Sequence, residues 1–251
     1  MKSFVALNFI AGFLHYLYLV VASRQLSAGD FSSVSAWLAY ISFAFVGAGV
    51  LQYLSCFIPL GKKPMRALIG LGLTYAAVVS ALPVWLSFDL TTTGILAGLL
   101  ACAFGLFLGQ AQARLLFLGM SAGNLSVGAF KLIFAVLLPL APPQNYFWAV
   151  PLAYVPATLL MCAVLLRKQG AHAVTSLAGG AVLATLVLGL GSALFPQFEL
   201  MLMRATQSAE VFDAFARLSL FYKAIFFVFL IFSQWLLPYQ LKDPRRAGKV
   251  L

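Results

Sequence analysis

The sequence contains very few charged residues, and acidic residues are the rarest of them. Only 9% of the 251 residues are Asp, Glu, Lys or Arg, and six in all are Asp or Glu. A soluble domain carries about 25% charged residues, so this composition excludes an ordinary soluble protein. The six acids form no pair with a metal-ligand spacing, and no nucleophile–His–acid set or phosphate-binding glycine loop occurs. We therefore predict no catalytic residue, no metal site, no cofactor and no enzymatic activity.

Cysteine is also scarce. The three thiols, Cys56, Cys102 and Cys162, each stand alone inside an apolar run. Their spacing fits no zinc or redox motif. The apolar surroundings favour three small core side chains.

Long apolar runs make up most of the chain instead. Hydrophobic residues account for 63% of it, and the mean hydropathy is +1.00. A helix of about 20 apolar residues crosses the hydrocarbon core of a bilayer, and the short polar connections favour antiparallel neighbours. The pattern predicts an all-α, polytopic membrane helix bundle with spans at residues 4–23, 31–58, 67–88, 94–118, 124–140, 146–166, 174–203 and 210–238.

Cations alternate between the two sides of this predicted bundle. With the N-terminus inside, eleven of the sixteen Lys and Arg residues fall on the cytoplasmic side, and only Arg24 and Arg204 fall opposite. This is the positive-inside pattern, and it predicts that both termini are cytoplasmic. The net charge of +10 is thereby assigned to membrane topology, and we predict no nucleic acid partner.

A polar stretch recurs between apolar runs. Shifting "SRQLSAGDF" by 180 residues onto "MRATQSAEV" pairs Arg24 with Arg204 and Asp30 with Glu210. The shift equals six predicted spans, so the seventh and eighth helices take the places of the first and second. Internal repeats of this kind are common in transporters. The recurrence predicts one six-helix lobe followed by the first two helices of a second, pseudo-symmetric lobe.

Three longer stretches resemble polysaccharide flippases of the multidrug/oligosaccharidyl-lipid/polysaccharide exporter superfamily. "SRQLSAGDFSSVSAWLAYISFAFVGAGVLQYL" is similar to their first loop and second helix, and "GQAQARLLFLGMSAGNLSVGAFKLIF" to their fourth-to-fifth helix junction. "FELMLMRATQSAEVFDAFARLSLFYKAIFFVF" is similar to the start of their second half. The chain departs from the family where Ser32 and Phe212 replace glycine after the loop acid, and in having eight predicted helices rather than twelve to fourteen.

The resemblance implies a membrane carrier for cell-surface polysaccharide synthesis. Its cargo would be an undecaprenyl-phosphate-linked oligosaccharide, moved across the bacterial inner membrane. It implies the polyprenyl-linked glycan and membrane lipid as partners, and a second copy or a partner subunit that completes the second lobe. The alternative is a non-transporting subunit or scaffold of a polysaccharide assembly complex. The predicted domains are a six-helix lobe (1–170), two helices of an incomplete lobe (171–239) and a basic cytoplasmic tail (240–251).

Three cations fall within predicted spans. Lys131, Arg217 and Lys223 are expected to line a cationic cavity that binds the phosphates of a lipid-linked glycan. A cation inside a bilayer needs a partner or a wet cavity, so internal pairing is the alternative. Asp213 stands four residues before Arg217 on the same helix, and Glu199 is available to neutralise Lys131 or Lys223.

Polar and helix-breaking residues elsewhere in the spans suggest further roles. Glu199 follows Pro196 by three residues, which predicts a gating kink with a coupling carboxylate or, alternatively, a structural ion pair. Gln110, Gln112 and Arg114 cluster at the cytoplasmic end of the fourth span, which suggests either a lipid head-group contact or a solvated helix end. The Gly105/Gly109 pair fits small-xxx-small helix packing.

Overall fold

A computed structural model gives the fold of residues 2–58, 63–81, 88–167, 187, 197–208, 210–221 and 225. These residues form a bundle of α-helices, and none of them lies in a β-strand. The predicted all-α helix bundle is therefore confirmed. Residues 240–251, predicted as a basic tail, lie outside the described ranges.

Eight helical stretches follow one another along the described chain. Five of them contain segments long and apolar enough to cross a membrane, in agreement with the expected membrane protein. Residues 82–87, near the end of the predicted third span, are not described, and α3 holds a shorter apolar segment. The helices are α1 (Lys2–Gln25), α2 (Ala28–Ser55), α3 (Lys63–Ala81), α4 (Phe88–Ala113), α5 (Phe117–Leu137), α6 (Gln144–Arg167), α7 (197–206) and α8 (210–221).

Helix α1 packs mainly against α5 rather than against α2, its neighbour in the chain. The expectation that short loops join packed neighbours is wrong for this pair, although it is met by α2 with α3 and by α5 with α6. Glycine explains the close approach to α5. A Cβ on Gly128 would lie 3.1 Å from the carbonyl oxygen of Ala11 and 3.0 Å from Cβ of Leu14, so the missing side chain brings the two helices together.

Helices α2 and α4 form a second close pair. A Cβ on Gly105 would overlap the carbonyl oxygen of Ala48, and a Cβ on Gly109 would overlap that of Gln52. The backbones approach each other because both glycines lack side chains, which is the physical basis of small-xxx-small packing. The prediction for the Gly105/Gly109 pair is confirmed.

The turn between α4 and α5 lies earlier than the sequence suggested. The segment "GMSAG", interpreted as a loop, is helical, and the chain turns over Arg114–Leu116 with Leu115 at a φ of 58°. Glycine in this segment serves helix packing instead of breaking the helix. A Cβ on Gly119 would meet Cγ1 of Val164 in α6 at 2.7 Å, and Gly123 similarly faces α6.

The α1–α2 turn and the α7–α8 turn have matching backbone hydrogen bonds. Leu26 N–H bonds to the carbonyl oxygen of Ala22 at 3.0 Å, and Gln207 N–H bonds to that of Met203 at 2.9 Å. The residues after the turns also agree. The N–H groups of Phe31 and Phe212 each bond to the carbonyl oxygen four residues earlier, and both side chains are fully buried. Corresponding atoms lie 181 residues apart, one residue more than the sequence alignment.

Helices α7 and α8 pack on α1 and α2 through an apolar core. Buried side chains from both pairs, including Tyr18, Trp37 and Phe212, belong to one cluster that also includes residues of α6. The rings of Trp37 and Phe147 meet edge to face with centroids 5.2 Å apart. This core places the two similar turns at the same end of the bundle.

Candidate functional site

Polar side chains line the interface between α1 and α5. On α1, Asn8, His15 and Tyr18 occur at spacings of seven and three residues, which places them on one helix face. On α5, Ser121, Asn124 and Lys131 occur at spacings of three and seven residues and likewise share one helix face. We call these six residues the α1–α5 seam.

One end of the seam is a closed hydrogen-bond network. Asn8 Nδ2 donates to Ser121 Oγ at 2.7 Å and to the carbonyl oxygen of Phe4 at 2.9 Å. Asn124 Nδ2 donates to Asn8 Oδ1 at 2.9 Å. Since Asn8 and Ser121 are buried and bonded, this end joins the two helices.

The other end of the seam holds a cation. The ammonium group of Lys131 lies 4.3 Å from the ring centroid of Tyr18, within the range of a cation–π contact. His15 also faces α5, since its Cδ2 lies 3.7 Å from the position of a Cβ on Gly128. Within the described ranges no carboxylate pairs with Lys131, so the described contacts leave its charge without an acidic partner.

Tyr18, which lies beneath Lys131, is joined to α6 by a hydrogen bond. The Tyr18 hydroxyl donates to the carbonyl oxygen of Tyr146 at 2.8 Å, and the Tyr146 hydroxyl donates to Gln25 Oε1 at 2.6 Å. Tyr18 is fully buried. The side chain of Tyr18 is therefore held between α5 and α6.

Arg217 lies in a different environment. Its Nε bonds to Asp213 Oδ2 at 2.7 Å, so the alternative of an intrahelical pair is confirmed. Its Nη1 donates to the carbonyl oxygen of Ser23, and its guanidinium lies 4.9 Å from the Phe31 ring centroid. Arg217 thus connects α8 to both α1 and α2.

Only two of the three cations predicted to line a cavity, Lys131 and Arg217, lie within the described residues. Among the described residues, no contact joins Lys131 to Arg217, and Lys223 lies outside those residues. Glu199 is exposed on α7 and makes no ion pair with Lys131, while Pro196 is not described. The cavity and the gating role of Glu199 and Pro196 stay predictions.

Gln110 and Gln112 are buried between α2 and α4. Gln110 Nε2 donates to the carbonyl oxygen of Ser55 at 2.7 Å, and Gln112 Oε1 accepts from Gln52 Nε2 at 3.0 Å. The interpretation as a solvated helix end is wrong for these two residues. The close approach of α2 at Gly109 covers them and supplies their partners.

Replacing Asn8 with alanine is expected to lower the free energy of unfolding by about 1 kcal/mol, because interhelical hydrogen bonds in membranes contribute on that order. Unfolding of the purified chain in mixed micelles with increasing denaturing detergent measures this. Ser33→Ala is the matched control, since among the described residues the Ser33 hydroxyl bonds within α2, to the carbonyl oxygen of Gly29. Equal effects of the two substitutions would contradict a joining role for Asn8.

The described residues bring His15, Tyr18 and Lys131 together on one seam, and Asp213 and Arg217 together beside the α1–α2 turn. Sequence reasoning missed Tyr18, although the spacings of three and seven residues on α1 carried a signal for a polar face. Comparison with protein-family models, with curated proteins and with solved structures finds no match for this chain.

Proposed function

We propose that this protein is a flippase-type membrane transporter, or part of one, that translocates an undecaprenyl-phosphate-linked oligosaccharide across the bacterial inner membrane. The observation that carries the proposal is the recurrence of the α1–α2 turn as the α7–α8 turn. The two turns agree in backbone hydrogen bonds and in a buried phenylalanine at the same position. Internal repeats of this kind are typical of transporters whose substrate site lies between the halves.

The way the repeats pack supports the proposal. Helices α7 and α8 contact α1 and α2 directly through the shared apolar core and through Arg217. A transporter with two lobes needs such an interface between its halves, where one lobe moves against the other. The second copy or partner subunit that completes the second lobe belongs to the same proposal.

The sign of the charge in the bundle favours an anionic cargo. Lys131 lies in a span without a carboxylate partner in the described ranges, and a cation inside a membrane span is a functional residue by default. Lysine binds phosphate as a point charge. Arg217 is already paired with Asp213, so we assign the first phosphate contact to Lys131. A carrier of organic cations would instead need buried acids that no arginine neutralises, whereas the buried Asp213 is paired with Arg217.

The orientation is part of the proposal. The alternation of Lys and Arg between the two sides supports cytoplasmic termini. In this orientation the α1–α2 and α7–α8 turns face outward. The repeated turns would then lie on the side where the glycan is released.

Translocation by the purified chain in liposomes tests the function. The probe is an undecaprenyl-pyrophosphate-linked oligosaccharide with a fluorescent label on the sugar, which a membrane-impermeant reductant quenches only in the outer leaflet. We expect the chain to make the inner-leaflet pool accessible to the reductant, and to leave a head-group-labelled phosphatidylcholine where it is.

Two results would overturn the proposal. Quenching no faster than in protein-free liposomes would mean that the chain does not translocate the glycan by itself, and would favour the alternative of a non-transporting scaffold subunit. Equal movement of both labelled lipids would show unspecific scrambling. Reconstitution at two protein-to-lipid ratios separates a single chain from an assembly, because only an assembly gives activity that rises faster than protein density.

A further inference from the structure

We propose that Arg204, Asp213 and Arg217 form a clasp that closes the bundle at the end where the two similar turns meet. Release of this clasp separates α7–α8 from α1–α2. The contacts of the clasp stand independently of any transport activity. Only the purpose of its opening, access to a site between the repeats, rests on the proposed function.

Arg217 makes the central contact of the clasp. It joins three groups at once, because its Nε bonds to Asp213 Oδ2 at 2.7 Å, its Nη1 donates to the carbonyl oxygen of Ser23, and its guanidinium covers the ring of Phe31. The first contact lies within α8, and the other two cross to the first repeat. Asp213 therefore orients the guanidinium for the contacts that cross the interface.

Arg204 makes a second crossing contact from α7. Its Nη1 donates to Ser32 Oγ at 3.3 Å, and its guanidinium lies 5.6 Å from the Phe212 ring centroid. Phe31 and Phe212 occupy equivalent positions after the two turns. Each of these buried rings is thus covered by an arginine of the second repeat.

The charges of the clasp all come from one repeat. At the structural offset of 181 residues, Arg204, Asp213 and Arg217 correspond to Ser23, Ser32 and Ala36. The first repeat therefore contributes a carbonyl oxygen, a hydroxyl group and an aromatic face, but no charge. Water can replace the carbonyl and hydroxyl acceptors with little loss, so the first repeat keeps no buried counter-charge when the arginines leave it.

The exposed fractions of the Arg217 and Asp213 side chains indicate which of the two leaves the clasp first. The side chain of Arg217 is 37% exposed, whereas that of Asp213 is 10% exposed. Asp213 Oδ1 is buried and has no hydrogen-bond partner among the described residues. Arg217 is therefore the main stabilising partner of a buried carboxylate, and removal of the carboxylate charge leaves the guanidinium free to turn toward water.

Distance measurements between two spin labels test the clasp in the full chain. Labels are placed at Gly29→Cys, where a Cβ meets no atom within 4 Å, and at the exposed Gln207→Cys. Cys56, Cys102 and Cys162 are replaced by alanine. With Asp213 present we expect one dominant short distance. Asp213→Asn is expected to raise the ratio of the long-distance to the short-distance population about tenfold, the size of a charge-assisted hydrogen bond.

Glu210→Gln is the matched control, because it removes the same charge from an exposed position on the same helix. It is expected to leave the distance distribution unchanged. Arg217→Lys keeps the charge but lacks the two separate guanidinium nitrogens that bond Asp213 and Ser23, so it is expected to give an intermediate population. This milder variant keeps the test decisive where Asp213→Asn lowers the yield of folded protein.

The clasp is overturned if Asp213→Asn and Arg217→Lys both give the distribution of Glu210→Gln. The labels report on the interface without any glycan. A chain that opens on Asp213→Asn but translocates nothing would therefore retain the clasp and reject the transport proposal. A chain that translocates the glycan, but whose distance distribution is unchanged by Asp213→Asn, would retain the transport proposal and reject the clasp.

Discussion

Replacing Lys131 with methionine is expected to raise the free energy of unfolding by about 1–2 kcal/mol and to lower glycan translocation at least tenfold. A lysine at the centre of a membrane helix costs about 2.5–3.5 kcal/mol on insertion scales, which is an upper bound for Lys131, four residues past the centre of α5. The cation–π contact with Tyr18 offsets about 0.5–2 kcal/mol of this cost. Methionine has a similar length and fills the site without a charge. Detergent unfolding measures the first effect, and the liposome assay measures the second.

Lys131→Arg and Arg66→Gln are the controls for this prediction. Arginine keeps the charge and suits phosphate, so translocation should be retained without a gain in stability. Arg66 is exposed in the first turn of α3, and its replacement should leave both quantities nearly unchanged. A Lys131→Met chain that is less stable than the parent and still translocates would show that Lys131 serves the fold.

Replacing Gly109 with valine is expected to lower the free energy of unfolding by about 3 kcal/mol, the upper range for overpacked cores. A side chain at this position would overlap the Gln52 carbonyl oxygen and Ser55 Oγ. The backbone oxygen of α2 cannot move aside unless the helices separate. Separation would also break the bond from Ser55 Oγ to the carbonyl oxygen of Leu106, which is 3.0 Å long.

Gly70→Val is the matched control for the α2–α4 contact. Gly70 lies in α3, and a Cβ there meets no atom within 4 Å, so the change in unfolding free energy should stay within about 0.5 kcal/mol. Both variants are measured by the same detergent titration. Similar losses for the two would mean that the effect arises from valine in a helix and not from the α2–α4 contact.

The sequence by itself determined the class of structure. Apolar runs of membrane-crossing length can satisfy their backbone groups in lipid only as helices or closed barrels, and at this length helices are the outcome. Features that depend only on residues within one helix were also predictable. The Asp213–Arg217 pair needs only a spacing of four residues, and the Gly105/Gly109 pair needs only one helix face.

Only the tertiary structure decided which helices meet and what their polar side chains contact. It placed α1 on α5, moved the α4–α5 turn to Arg114–Leu116, and buried Gln110 and Gln112. It also directed Arg217 toward Ser23 and Phe31. The physical reason is that lipid is as apolar as the bundle interior. Hydrophobic periodicity then does not distinguish a face that packs from a face that meets lipid, and close backbone approach and interhelical hydrogen bonds make the choice.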